Sequence, residues 1–390
     1  LQRGRGTEGR QVPRFIRPAA RALGVSVRAV DAARQALTRR QGRRLHVPAY
    51  GQGRRVGALT AALVVLGAAV EVHAQVPTSS PGEVLSWGEF QTIERAAPDA
   101  VVQWGEQPEH FAEVFVPAGS GPHPVVMLVH GGCWLSIADT GYVSHLARAF
   151  AAGGWAVWVP EFRRVDMAGG AFPGILDDVR AGLDALPRFA ESLALDLDRV
   201  VTVGHSSGGH LALWLAGHAA HSGSGAAVGA GAAPAAAPAA VPAPVQVRGV
   251  IGMAAIAGLE DYHAGGGGGC GPNAVSALLD AAPGSREWQQ RLALAEPGVH
   301  LAALGTPVLL VAGALDPIVS VEHQRGFIDA LQDPAPSGSR ASLEVVEGAG
   351  HFELVAPWTE PFERFWPSVT AFLGRVSATA PSQSPPTEFP

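Results

Sequence analysis

Residues 199–216 read RVVTVGHSSGGHLALWLA, and their reading decides the fold. The first six form a short β-branched apolar run, the pattern of a strand buried on both faces. The last six are apolar at a density that suits a buried helix. Between them lies Gly204-His205-Ser206-Ser207-Gly208, a GxSxG spacing. A serine hydroxyl is a weak nucleophile, so it must stand exposed on a sharp turn beside a base. Glycines at 204 and 208 let strand and helix pass closely, and the helix amino end favours negative charge developing at Ser206. Ser206 is therefore the candidate nucleophile; Ser207, the neighbouring hydroxyl, lies outside the spacing.

Other apolar runs of strand length occupy residues 123–129, 155–160, 247–254, 307–312 and 342–346. Residues 113–116 alternate in the manner of an exposed edge strand. Helical patterns fall between them, at 142–152, 175–189, 207–220, 321–331 and 361–373. Strands alternating with helices predict an α/β chain, with a mostly parallel central sheet flanked by helices on both faces.

Three further motifs supply what a serine nucleophile requires. His130-Gly131-Gly132-Cys133-Trp134 ends the 123–129 run. Acyl transfer passes through an oxyanion that needs preset N–H donors, and the donors expected are Gly132, Cys133 and Ser207. Asp316 follows the 307–312 run and is the expected acid, with Asp261 as the runner-up. Asp329 and Asp333 lie on or at the end of a helix pattern and suit the role less. His351, in GAGHF after the last strand pattern, is the expected base. His205 is expected to point away from the hydroxyl and His130 to brace the oxyanion loop, while His210 and His323 read as structural. The order Ser–Asp–His is a known chain order for such triads.

Composition narrows the partners. All 28 basic residues are arginine. Fourteen of them precede residue 56 with only Glu8 and Asp31 as acids, giving about +12 (14 − 2). The chain beyond residue 74 carries about −17 (14 − 31). An acidic catalytic part argues against nucleic acid. Two cysteines, Cys133 and Cys270, build no disulfide framework and no metal cluster; a single bridge between them is open in an oxidising compartment. No metal and no organic cofactor is required by the motifs.

Residues 54–74 read as a secretory signal peptide: Arg54 and Arg55, an apolar stretch from 56 to 70, then Val72-His73-Ala74 at cleavage spacing. The apolar stretch is short for a membrane span. Export to the periplasm or extracellular space, with cleavage near Ala74 and no stable span afterwards, is expected. Residues 1–53 then form a basic extension, either disordered or a mis-called start. Residues 75–99 read as a linker or arm and 100–375 as the catalytic domain. Within it, 217–245 is an Ala/Pro/Gly-rich low-complexity insertion, and 376–390 reads as a disordered tail.

Taken together, HGGxW at His130–Trp134, GxSxG around Ser206, Asp316 and His351 resemble the α/β-hydrolase superfamily. The closer resemblance is to its carboxylesterase and kynurenine-formamidase-like branch. Glu161-Phe162-Arg163-Arg164-Val165, Gly169-Gly170 and Pro173-Gly174 also look like a segment of that branch. The resemblance implies the α/β-hydrolase fold over about 100–375, with Ser206, Asp316 and His351 as triad. It implies cleavage of small or medium acyl esters through an acyl-enzyme. Amide hydrolysis, arylformamidase-like or peptidase-like, shares the same machinery, and a non-catalytic binding protein on this fold is a third reading. Trp134, Phe162, Phe172 and Trp358 are candidates for an apolar pocket. Arg163 and Arg164 are expected to pair with Asp177 or Asp178 rather than with substrate.

Overall fold

The computed structural model describes residues 84–218, 245–332 and 340–378. The basic extension, the 54–74 segment, most of the 217–245 insertion and residues 379–390 lie outside the described residues.

Eight strands form one sheet: β1 (Ala100–Gln103), β2 (Phe111–Phe115), β3 (His123–Val129), β4 (Ala156–Pro160), β5 (Leu195–His205), β6 (Val247–Met253), β7 (Val308–Gly313) and β8 (Ala341–Val346). Their order is β1-β2-β4-β3-β5-β6-β7-β8. β1 and β2 pair antiparallel, as do β2 and β4; every pairing from β4 to β8 is parallel. The edge expected at 113–116 is occupied instead by β1, whose short AVVQ run is half exposed and too brief to stand out in the sequence.

Parallel strands need crossovers, and the described helices provide them. They are α1 (Trp87–Phe90), α2 (Ser144–Ala152), α3 (Gly174–Asp184), α4 (Leu186–Phe189), α5 (Ser207–His218), α6 (Leu259–Ala264), α7 (Ala274–Leu279), α8 (Arg286–Ala295), α9 (Gly298–Leu304), α10 (Val321–Gln332) and α11 (Glu360–Ala378). The single helix expected over 175–189 is split into α3 and α4, with Pro187 in the first turn of α4, where its missing N–H costs nothing.

Side chains alternate across the sheet and divide the core into two layers. Val125, Met127 and Val129 face one layer with Leu211, Leu215 and Val250. Val126 and Leu128 face the other with Val201, Val203, Phe365 and Val369. Both faces are therefore covered, which explains the continuous apolar runs of β3 to β7. Thr202 of β5 is polar and fully buried, and its hydroxyl donates to the Ala212 carbonyl of α5 at 3.0 Å.

Three boundaries differ from the sequence reading. Gly217 and His218 complete α5, and Val245 is buried in the core, so the insertion is narrower than 217–245. Residues 376–378, assigned to the tail, form the last turn of α11, held there by burial of Val376. Residues 84–96 are not a free linker. Leu85 and Phe90 are buried, and the Leu85 amide donates to the Glu353 carboxylate.

Candidate active site

The carboxyl ends of β3, β5, β7 and β8 converge on one edge of the sheet, where open α/β sheets place ligands. β5 ends at His205 and α5 begins at Ser207, which leaves Ser206 alone to turn the chain. It does so at φ +58°, a left-handed conformation that a residue with a β-carbon adopts only when its surroundings impose it. The Ser206 amide donates to the Met253 carbonyl at 2.9 Å, and its carbonyl accepts from Gly209 and Ile256 at 2.9 and 3.1 Å. Gly208 is required because a β-carbon there would run into the Val129 and His130 carbonyls.

The loop after β3 lies directly against this turn. A β-carbon on Gly131 would stand 3.0 Å from the Ser206 Cβ and 2.8 Å from the His205 carbonyl. Gly132, Cys133 and Trp134 follow with φ of +114°, +55° and +58°. Among the described residues, neither the Gly132 nor the Cys133 amide has an acceptor. The Trp134 amide donates to Ser207 Oγ at 3.2 Å, tying the loop to the start of α5. His130 braces it from behind. Its Nδ1 lies 2.9 Å from the Gly131 carbonyl, its Nε2 lies 3.1 Å from Glu161 Oε1, and its ring stacks on Phe162. Burial opposes ionisation of Glu161, but His130 and Arg164 outweigh it and hold its carboxyl below the usual range.

β7 and β8 bring Asp316 and His351 together. His351 Nδ1 donates to Asp316 Oδ2 at 2.7 Å, and the Asp316 side chain is fully enclosed. Its other oxygen accepts from the Ile318 and Val319 amides at 2.7 and 3.0 Å. Asp261 does not take this place; it lies in the first turn of α6.

His351 is also held through its backbone. Its carbonyl accepts from His205 Nε2 at 2.9 Å, and the two rings pack with centroids 4.5 Å apart. His205 Nδ1 then accepts from the Tyr142 hydroxyl at 2.6 Å. Burial, with the His351 charge adding to it, pushes the His205 imidazole well below its ordinary range. It therefore stays neutral, with one nitrogen donating and the other accepting. The Gly350 amide donates to Glu353 Oε2 at 2.9 Å. His205 thus turns its two ring nitrogens to Tyr142 and His351 and fixes the segment carrying His351 beside the Ser206 turn.

His210 and His323, the other histidines singled out in the sequence, have partners elsewhere. Burial holds His210 at about 4, and its Nε2 donates to the Ala295 carbonyl at 2.9 Å. His323 Nε2 accepts from the Ala257 amide at 3.0 Å, and burial lowers its pKa. Arg163 grips Asp178 through two nitrogens at 2.7 and 2.6 Å, and Arg164 pairs with Glu161. Trp134 and Phe162 are buried core residues rather than exposed walls. Phe172 lies under the Arg291 guanidinium and Trp358 stacks on Phe90. Among the described residues no group of His, Cys, Asp or Glu is placed to hold a metal.

Sequence reasoning missed Tyr142 and Glu353 and gave Glu161 a place in a family-like segment but no role, since all three act through contacts that carry no spacing signal. It left the cysteine pair open; the structure joins Cys133 to Cys270 in a disulfide.

The BD-FAE family model matches residues 113–331. A probable isoprenylcysteine alpha-carbonyl methylesterase of Oryza sativa subsp. japonica is 25% identical over 261 residues, covering 65% of this chain and 56% of that protein. The chain thus spans about half the length of this curated relative. Among solved structures, a bacterial heroin esterase superposes with a TM-score of 0.53 at 21% identity, over 72% of this chain and 86% of that one. The thermophilic carboxylesterase EstE1, cloned from a metagenomic library, gives a TM-score of 0.56 at 17% identity, over 74% and 93%. These likenesses show the α/β-hydrolase fold.

Proposed function

Because the chain belongs to the BD-FAE family, we propose that it is a serine hydrolase that cleaves carboxylic esters of small or medium acyl groups. Ser206 Oγ attacks the ester carbonyl carbon while His351 Nε2 takes its proton. Asp316 holds the imidazole in the tautomer that leaves Nε2 free to accept, and stabilises the imidazolium formed. The oxygen that becomes negative is received by the amides of Gly132, Cys133 and Ser207. His351 then returns the proton to the departing alcohol as the C–O bond breaks. A water, deprotonated by the same imidazole, releases the acyl group from Ser206 as the acid.

The observation that carries this reading is the 2.7 Å His351–Asp316 hydrogen bond in a segment clamped by His205, the residue preceding Ser206. The esterase names of the rice relative and of the superposed structures support the same bond type. Replacing Ser206 by Ala should cut kcat on a short-chain nitrophenyl ester by at least about 10⁴-fold and abolish labelling by a fluorophosphonate. Full hydrolytic rate in that variant overturns the assignment.

Export is proposed on the 54–74 segment, and the Cys133–Cys270 bond supports it, since disulfides persist in oxidising compartments. Intact mass of the mature chain should correspond to a start at Gln75; a mass retaining residues 54–74 refutes cleavage. No helix among the described residues is long and apolar enough to cross a membrane.

A further inference from the structure

The Cys133–Cys270 disulfide joins residues 137 apart in sequence, with Cα atoms 5.5 Å apart. Its two ends have different surroundings. Cys133 lies in the loop after β3, at φ +55°, and carries an amide with no acceptor among the described residues. Cys270 ends a short turn, Gly268–Cys270, that follows α6 and the run of glycines beginning at Gly265.

That turn has a second anchor. The Gly269 amide donates to the Ile318 carbonyl at 3.1 Å, and the Tyr262 hydroxyl of α6 reaches the same oxygen at 3.4 Å. The Ile318 amide in turn donates to Asp316 Oδ1. A path of one covalent bond and a few hydrogen bonds therefore runs from Cys133, through Cys270, Gly269 and Ile318, to the carboxylate beside His351. β3 and β7 are separated in the sheet by β5 and β6, and β5 is the strand that delivers Ser206. A segment that touches the loops of both β3 and β7 spans the edge on which Ser206 stands.

We infer that residues 265–271 form a strap across the site and that Cys270 is a positioning residue. Through the disulfide it holds the Cys133 amide where the oxyanion develops. A run of five glycines fixes little by itself, because each has wide backbone freedom to lose. The covalent bond at one end and Ile318 at the other give the strap its place. Without the bond, Cys133 is free to leave a left-handed conformation that a side chain disfavours, and its amide leaves with it. The loss falls on the transition state rather than on substrate binding, so kcat drops while KM holds.

This inference rests on the acyl-enzyme reading, and the test separates the two. The full chain is assayed on nitrophenyl acetate in three forms: oxidised, treated with dithiothreitol, and Cys270→Ser. In the treated form the two thiols of the reagent close to its ring disulfide while Cys133 and Cys270 each take up a hydrogen. The burst of nitrophenol counts competent sites, and circular dichroism reports the folded fraction. Expected is a tenfold to hundredfold fall in kcat per site, on the order of a partly lost oxyanion donor, with KM within about threefold. The fall should match in the reduced and Cys270→Ser enzymes, reverse on reoxidation of the wild type, and leave Cys270→Ser indifferent to the reagent. Unchanged kcat in the reduced enzyme overturns the inference. So does a rate loss that tracks loss of folded protein, since the bond would then serve the whole chain. If Ser206→Ala keeps its rate, the acyl-enzyme reading fails; if Ser206→Ala is inactive while reduction has no effect, the strap alone fails.

Discussion

Asp316→Asn is the substitution whose outcome the geometry specifies most closely. Asp316 offers two oxygens with separate duties: one accepts from the Ile318 and Val319 amides, the other from His351 Nδ1. Asparagine keeps one oxygen. Turned toward residues 318 and 319, that oxygen preserves the loop, because two buried amides outweigh one imidazole contact. The amide nitrogen must then face His351 Nδ1 and can only donate. The ring answers by moving its proton to Nε2, the atom required to accept from Ser206. The base is thereby disabled without being moved. A tautomer error of this kind costs about 10⁴-fold in kcat in a serine triad. That corresponds to about 5 kcal/mol of transition-state stabilisation, at 1.36 kcal/mol per factor of ten. Steady-state hydrolysis of nitrophenyl acetate at neutral pH measures the rate, and thermal unfolding followed by circular dichroism should show the fold retained. A fall of less than about tenfold in a folded variant refutes the reasoning, since His351 then does not depend on Asp316 for its proton inventory.

Two further outcomes follow from buried carboxylates. Burial, reinforced by the charges of Asp261 and Glu260, raises Glu296 to about 7. A raised folded-state value means its contribution to stability is complete below the unfolded value near 4.5 and is lost as pH rises through 7. Glu296→Gln, which never ionises, should therefore gain on the wild type between pH 5 and pH 8 by up to roughly 3 kcal/mol, read as a growing difference in melting temperature; a difference that stays flat with pH contradicts this. Glu353 accepts from the Leu85 and Gly350 amides with its two oxygens. Glu353→Gln leaves one of these amides facing an NH₂ group, and should lower unfolding free energy by about 1–3 kcal/mol in a urea titration. An unshifted midpoint would show that water replaces the carboxylate.

The sequence exposed what repeats or sits at fixed spacing. β3 to β7 were readable because strands covered on both faces are apolar throughout, and the Ser206 turn because its glycines mark close approach. β1 escaped because four half-exposed residues carry no pattern. Helices α7 to α9 escaped for a related reason: they are short, and α8 is polar on most of its surface. Asp316 and His351 were singled out by their place after strands. The partners that brace the site were not, because Tyr142, Glu161 and Glu353 reach His205, His130 and Leu85 across gaps of 63, 31 and 268 residues. A lone buried tyrosine or glutamate has no local signature that announces its partner. The disulfide lay between these cases: two cysteines permit one pairing, but only the fold brings their Cα atoms within reach.

The bond from Leu85 to Glu353 ties the first described residues of the chain to the segment beside His351. Contacts this distant in sequence carry the largest entropy of closure and form after nearer ones. Most of the sheet can therefore assemble before the two ends of the described chain meet and the segment holding His351 takes its final seat.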